Sequence, residues 1–302
     1  MNNQIKSTLY LIVTAMIWGF AFVAQRTGMS HIGPFTFSAF RMLIGTIALT
    51  PVVIYFDKKD KTTDVKIKKA RHKMSVKGGI ICGCVMFFAS NFQQIGLVEV
   101  SAGKSAFITT LYIVFVPICA IFFKHKTSIT TWIAVILGTI GLYLLCITEK
   151  FTISTSDILL IICAFFWTGH IYCIDHFATK TLVPKLILFQ TATTGLLSFI
   201  VAIFAEDISM SGVMPAMGAL LYTGVLSSAI AFALQAVGQK LSSPTTASII
   251  MSTESLFAVV GGFIFLGETF TQRETIACVI IFIAIIFAQL PNGIFKIKRH
   301  LI

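Results

Sequence analysis

Charge is what this sequence has least of. Only 12% of its 302 residues are Asp, Glu, Lys or Arg, about half the ~25% of a soluble domain. That shortage excludes an ordinary cytosolic enzyme, and the apolar surplus excludes a disordered chain. The signatures of common catalytic sites are also missing: there is no His-Glu-x-x-His, no Gly-x-Ser-x-Gly and no dinucleotide fingerprint. Gly103-Lys104-Ser105 imitates the end of a phosphate-binding loop, but Val98 stands where that loop needs Gly, and no strand precedes it. ATP hydrolysis is therefore not expected, and any driving force should come from gradients. The seven cysteines (Cys82, Cys84, Cys119, Cys146, Cys163, Cys173 and Cys278) all lie in or beside apolar runs. They show neither zinc-type spacing nor a disulfide framework, and read as small buried apolar residues. No cofactor or metal is expected.

What is present is apolar: 56% hydrophobic residues, with 28 Phe and 21 Gly. A membrane-spanning helix needs about 20 such residues. Helices enclosed by lipid and protein are apolar all round, so periodicity is silent and spans are read from run length. They fall near 7–26, 35–56, 77–99, 101–123, 130–148, 156–178, 184–205, 214–239, 243–266 and 271–291. The breaks are polar or contain Pro and Gly: Gly33-Pro34, a long basic connection, Lys124-His125-Lys126, Thr148-Glu149-Lys150, Val183-Pro184, Glu206-Asp207, Ser243-Pro244 and Gly267-Glu268. The first run is too long and aromatic for a cleaved signal peptide.

The net charge of +11 is concentrated in the basic loop over 57–77, which carries nine Lys and Arg. Between two membrane helices this reads as a topology signal and a contact for anionic lipid, not as a nucleic-acid site. With the amino terminus in the cytoplasm, eighteen Lys and Arg fall on the inner side and four on the outer, with Arg41 inside a span. This positive-inside bias predicts a multi-pass plasma-membrane protein with both termini cytoplasmic.

The chain also resembles itself. A shift of 149 superposes Ser7, Leu11, Ile12, Ala15 and Trp18 on Ser156, Leu160, Ile161, Ala164 and Trp167. A shift of 150 superposes Pro34 and Gly45 on Pro184 and Gly195. A shift of 142 superposes Ala89, Gly96, Ser101, Phe115, Phe123 and Thr127 on Ala231, Gly238, Ser243, Phe257, Phe265 and Thr269. The expected units are residues 1–150 and 151–302, five helices each. An odd number of crossings makes the second unit enter from the opposite side. The predicted fold class is thus an all-α integral membrane protein of ten transmembrane helices as two inverted five-helix repeats. Such repeats mark secondary transporters, with a site near the midplane where the halves meet.

The run Gln93-Gln94-Ile95-Gly96-Leu97, then Ser101-Ala102-Gly103-Lys104-Ser105-Ala106-Phe107-Ile108-Thr109, then Val116-Pro117, Glu254 and Leu266-Gly267-Glu268 resembles the drug/metabolite transporter superfamily. Its ten-helix EamA-type branch is the nearest match, over essentially the whole chain. The resemblance implies a permease, often an exporter, of amino acids or other small metabolites. Two departures stand out: Ser255 where the family often has Pro, and Lys124-His125-Lys126 where the first half lacks a Gly-Glu ending.

Polar residues inside spans are the candidates for function, because a charge at the bilayer centre costs about 2.5–3.5 kcal/mol on insertion scales. Glu254, halfway along span nine, reads either as a substrate-amine or proton site or as half of an ion pair with Arg41 or Lys104. Arg41 offers a planar fork to a carboxylate, from substrate or from Glu254. Lys104 reads as an interfacial anchor or an ion-pair member. Asn91, Gln93 and Gln94 with Tyr112 form a neutral hydrogen-bonding set, as cavity lining or as helix packing. Trp18 and Trp167 hold equivalent positions and are expected on either side of a shared cavity, with helix packing as the alternative. His170 is a packing residue or a proton relay. Gly79 and Gly83 read as a close-packing pair.

The expectation is a small-molecule permease working by alternating access in the bilayer, as monomer or homodimer. Hydrophobic or aromatic amino acids are the preferred substrates and export the preferred direction. Efflux of drug-like cations, and a membrane-embedded enzyme acting on lipid-linked substrates, are the alternatives.

Overall fold

The computed structural model describes residues 2–60, 62–100, 102–122, 128–146, 154–266 and 272–289. Among them lie ten helices and no strand. They are α1 (Asn3–Gly28), α2 (Pro34–Lys59), α3 (Val65–Glu99), α4 (Ala102–Phe122), α5 (Ile129–Cys146), α6 (Thr155–Ala178), α7 (Val183–Ala205), α8 (Met210–Gln239), α9 (Pro244–Leu266) and α10 (Gln272–Gln289). Eight are long and apolar enough to cross a membrane, while α5 and α10 carry shorter apolar stretches. At 18 residues each, α5 and α10 measure about 27 Å, close to the ~30 Å hydrocarbon core. The breaks Lys124-His125-Lys126, Thr148-Glu149-Lys150 and Gly267-Glu268, the matched residues Ser101, Phe123, Thr127 and Thr269, and both termini lie outside the described residues.

The basic connection is a correction to the sequence reading. Instead of a loop over 57–77, α2 runs to Lys59 and α3 begins at Val65, a dozen residues early. Run length sees hydropathy alone, whereas Lys, Arg, Ala and Met are good helix formers in water. Asp64 caps this extension, its carboxylate accepting from the amides of Lys66 and Ile67. The short turn before it is held by Asp60, which accepts from the Thr62 hydroxyl at 2.7 Å and from Arg71. The Thr62 hydroxyl and amide, with the Arg71 charge, hold the Asp60 carboxyl below its ordinary range.

Packing follows one rule. α2 lies along α7, α5 along α10 and α4 along α9; α3 packs on α6 as α8 packs on α1, and α3 on α7 as α8 on α2. Exchanging each helix for the one five places away leaves this pattern unchanged. The sequence identities make matched contacts. A Cβ on Gly96 would lie 2.6 Å from Leu160 Cγ, and one on Gly238 would lie 2.8 Å from Leu11 Cγ. These are the same contact made twice, because Gly96 matches Gly238 and Leu160 matches Leu11. Gly79 and Gly83 likewise let α3 close on α7, at Phe189 and Thr193.

Three helices are interrupted. α4 breaks at Thr110–Leu111 and α9 at Ser252–Thr253, the same position of the two halves by the 142-residue shift. Backbone groups freed at depth have to be satisfied internally, and the sequence places hydroxyls there. Thr110 Oγ1 donates to the Phe107 carbonyl at 2.8 Å and Ser252 Oγ to the Ile249 carbonyl at 2.7 Å, again one bond made twice. Ser255 Oγ donates to the Ser252 carbonyl at 2.8 Å. In α8 the middle stretch, Tyr222–Ala231, is a π-helix, a form frequent at functional sites.

Candidate functional site

Residues brought together by this arrangement enclose a cavity between the halves. Its wall includes Trp18, Phe22 and Gln25 of α1, Arg41 of α2, Gln93 of α3, Thr109 and Tyr112 of α4, Trp167 and Ile171 of α6, Ser227, Phe232 and Gln235 of α8, and Met251 and Glu254 of α9. Five pairs of these are repeat equivalents: Trp18 and Trp167, Phe22 and Ile171, Gln93 and Gln235, Thr109 and Met251, Tyr112 and Glu254. Equivalent residues meet only near a pseudo-twofold axis. The two indoles do so with ring centroids 6.2 Å apart, and Phe232 lies 5.1 Å from one and 6.1 Å from the other. Gly19, next to Trp18, lets α1 close on α9, since a Cβ there would sit 2.4 Å from Phe257 Cβ and 2.6 Å from the Glu254 carbonyl oxygen.

Polar groups break the symmetry. Trp167 Nε1 donates to Gln93 Oε1 at 3.1 Å. The matching bond would run from Trp18 to Gln235, but Trp18 Nε1 donates to the Ser227 carbonyl of the π segment at 3.3 Å. Gln235 Oε1 is thereby left without a partner, as are Gln25 Oε1 and Thr109 Oγ1. A buried polar atom without a partner costs about 1–3 kcal/mol, and the cavity gathers several of them.

The two charged groups are the sharpest asymmetry. Glu254, 4% exposed, stands at the start of the second half of α9 and accepts from Tyr112 Oη at 3.0 Å. Arg41, also 4% exposed, faces the same cavity, makes no ion pair among the described residues, and has an unpartnered Nε. Lys104 pairs with Asp157 at 2.8 Å. The ion pair with Arg41 or Lys104, one of the two readings of Glu254, is therefore not formed.

Three other expected site residues face elsewhere. Asn91 Nδ2 donates to the Phe87 carbonyl at 2.8 Å and to Ser198 Oγ at 2.9 Å, binding α3 to α7. Gln94 Nε2 donates to the Met29 sulfur at 2.9 Å. His170 bonds Gln190 Oε1 at 3.0 Å and packs edge-on to Trp167 and Phe232, behind the aromatic wall. Among the described residues no group of His, Cys, Asp and Glu is arranged to hold a metal. The sequence named none of the wall residues Phe22, Gln25, Thr109, Ile171, Ser227, Phe232, Gln235 and Met251 as site residues. The 142-residue shift that carries Gly96 to Gly238 also carries Gln93 to Gln235, so Gln235 was within reach.

The open volume is about 40 Å3, a small fraction of the ~300–1,000 Å3 of ligand pockets. It holds a few waters at most.

Known proteins agree with this architecture. The profile of the EamA-like transporter family matches residues 5–147 and again 154–289. The chain is 26% identical over 297 residues to an uncharacterized transporter of Archaeoglobus fulgidus, covering 95% of this chain and 87% of that protein. It is 23% identical over 154 residues to the uncharacterized transporter YoaV of Bacillus subtilis, about half of each chain. A solved crystal structure, 16% identical and covering 95% of this chain and 97% of its own, superposes with a TM-score of 0.76, which shows the shared fold. This multi-pass membrane protein belongs to the EamA-like transporter family.

Proposed function

We propose that the protein carries amino acids or closely similar zwitterionic metabolites across the plasma membrane by alternating access at the cavity between its halves. The observation that carries this reading is the presence of buried Arg41, its Nε without a partner, and Glu254 in the wall of one aromatic-lined space. A guanidinium takes a carboxylate bidentately, Glu254 takes an ammonium, and Trp18, Trp167 and Phe232 take an apolar side chain. A substrate that satisfies Arg41 and the free amide oxygens is held more tightly than one lacking either charge.

Residues 1–150 and 151–302 would be the moving units, rocking about the pseudo-twofold axis and opening the cavity to each side in turn. Gradients of substrate or of protons drive such a cycle; export, with both termini cytoplasmic, is the direction we favour. Counterflow in proteoliposomes tests the reading. Labelled amino acids should exchange in the wild-type protein and exchange far more slowly in Arg41→Gln and Glu254→Gln variants that fold normally. Exchange at the wild-type rate in both variants would remove the cavity from the reading.

One observation favours efflux of organic cations instead: the aromatic rings beside Glu254 suit a cation–π cage. The Arg41 charge in the same cavity opposes it. Competition by cationic dyes, with none by amino acids, would select that alternative.

A further inference from the structure

α3 extends beyond the depth that lipid occupies. Its 35 residues measure about 52 Å against a hydrocarbon core of about 30 Å, so its amino-terminal turns stand outside the apolar layer. Ile80, Ile81 and Phe88 are exposed along one side of it, which in a membrane is the side that meets lipid. At 3.6 residues per turn that stripe continues through positions 77 and 73, both exposed lysines.

The end of α2 fixes the depth independently. Ile54, Tyr55 and Phe56 are exposed, and the two rings meet edge-on at 5.4 Å, as residues of an interfacial belt do. Exposed Lys58 and Lys59 follow in the next turn. Two contacts hold the helix ends level. Arg71 of α3 bonds Asp60, and Lys185 of α7 reaches Asp57 at 2.7 Å and His72 at 3.5 Å. The three acids between positions 57 and 77 are thus committed: Asp57 to Lys185, Asp60 to Arg71, and Asp64 to capping α3. None of Lys58, Lys59, Lys73 and Lys77 forms an ion pair among the described residues; Lys59 lies over the Tyr55 ring at 5.5 Å.

We propose that Lys58, Lys59, Lys73 and Lys77 form a site for the phosphate of anionic phospholipid headgroups, tying the α2–α3 end to a negatively charged membrane surface. Lipid is favoured over nucleic acid because the lysines prolong lipid-exposed faces at headgroup depth. Each lysine near such a surface contributes about fivefold in affinity, the equivalent of about 1 kcal/mol.

The test uses the full chain in nanodiscs of mixed phosphatidylglycerol and phosphatidylcholine, with native mass spectrometry of retained lipid. Wild type should retain phosphatidylglycerol at least tenfold above its share, and the preference should weaken with salt. The quadruple Lys→Gln variant should lose it, while the quadruple Lys→Arg variant keeps it and controls for folding and orientation. Inorganic phosphate added to phosphatidylcholine discs should not stabilise the protein. Equal retention by wild type and the Gln variant would overturn the proposal. So would stabilisation by free phosphate alone, or capture of an oligonucleotide without any lipid preference.

Discussion

Tyr112 and Glu254 occupy the same position in the two halves and are hydrogen-bonded to each other, Tyr112 Oη donating to Glu254 Oε1 at 3.0 Å. Each stands just after the break in its helix, α4 or α9. One polar bond therefore ties the halves at their meeting point, and only one of the two residues carries a carboxylate.

Glu254→Gln keeps an oxygen that accepts from Tyr112. It should therefore leave size-exclusion behaviour and thermal stability near wild type while counterflow falls at least about tenfold, roughly 1.4 kcal/mol. Tyr112→Phe removes the donor to a buried carboxylate and should lower stability by about 1.5–3 kcal/mol. Thermal melts and counterflow on the same preparations separate the two effects. Normal transport in Glu254→Gln would exclude a substrate role for the carboxylate.

Trp18 and Trp167 should set side-chain preference. Removing one ring takes away apolar area worth about 1.5–3 kcal/mol, so Trp167→Ala should raise half-saturation for large apolar substrates about tenfold or more and barely affect small ones. Trp167→Phe should keep most of the affinity. A uniform loss across substrate sizes would mean that the ring only packs helices.

Gly19 and Gly218 make a matched pair of controls. A Cβ at Gly19 meets Phe257 and the Glu254 backbone, whereas one at Gly218 meets nothing within 4 Å. Gly19→Ala should destabilise by about 1–3 kcal/mol through overpacking and impair transport. Gly218→Ala should be neutral or slightly stabilising, given the helix propensity of Ala. Thermal melts of the two variants check this directly.

Lys104 and Asp157 join α4 to α6, and Glu99 joins the same seam by accepting from Ser156 Oγ at 2.5 Å. The repeat-equivalent positions at the other end hold Thr246 and Thr8, so among the described residues the ion pair has no counterpart there. With Lys104 about one-third exposed, the coupling should be about 0.5–1 kcal/mol. Lys104→Ala should speed labelling of a cysteine introduced by Gln93→Cys, and the reversed pair Lys104→Asp with Asp157→Lys should slow it again.

The overall architecture was legible because run length and self-similarity need no side-chain orientation. Trp18, Trp167, Tyr112 and Glu254, named in the sequence as polar or aromatic residues deep in spans, line one cavity. Asn91 and Gln94, named on the same criterion, bond to Ser198 and Met29 instead, because a helix apolar on every side does not reveal which face turns to the cavity. The helical start of α3 was missed because a charged helix in water and a charged loop look alike to hydropathy. Gln25 and Ser227 had no signal: the first depends on the facing of α1, the second on a π segment that aims a backbone carbonyl.

The most direct measurement is counterflow of one apolar amino acid against two analogues, its decarboxylated amine and its N-acetyl derivative, in wild type, Arg41→Gln and Glu254→Gln. Wild type should discriminate against both analogues. Arg41→Gln should lose about 10–100-fold in affinity for the amino acid, the weight of a charge-assisted pair, yet bind the amine unchanged. Glu254→Gln should be indifferent to N-acetylation. Full discrimination retained in both variants would contradict the assignment of the two charges to the two ends of a zwitterion.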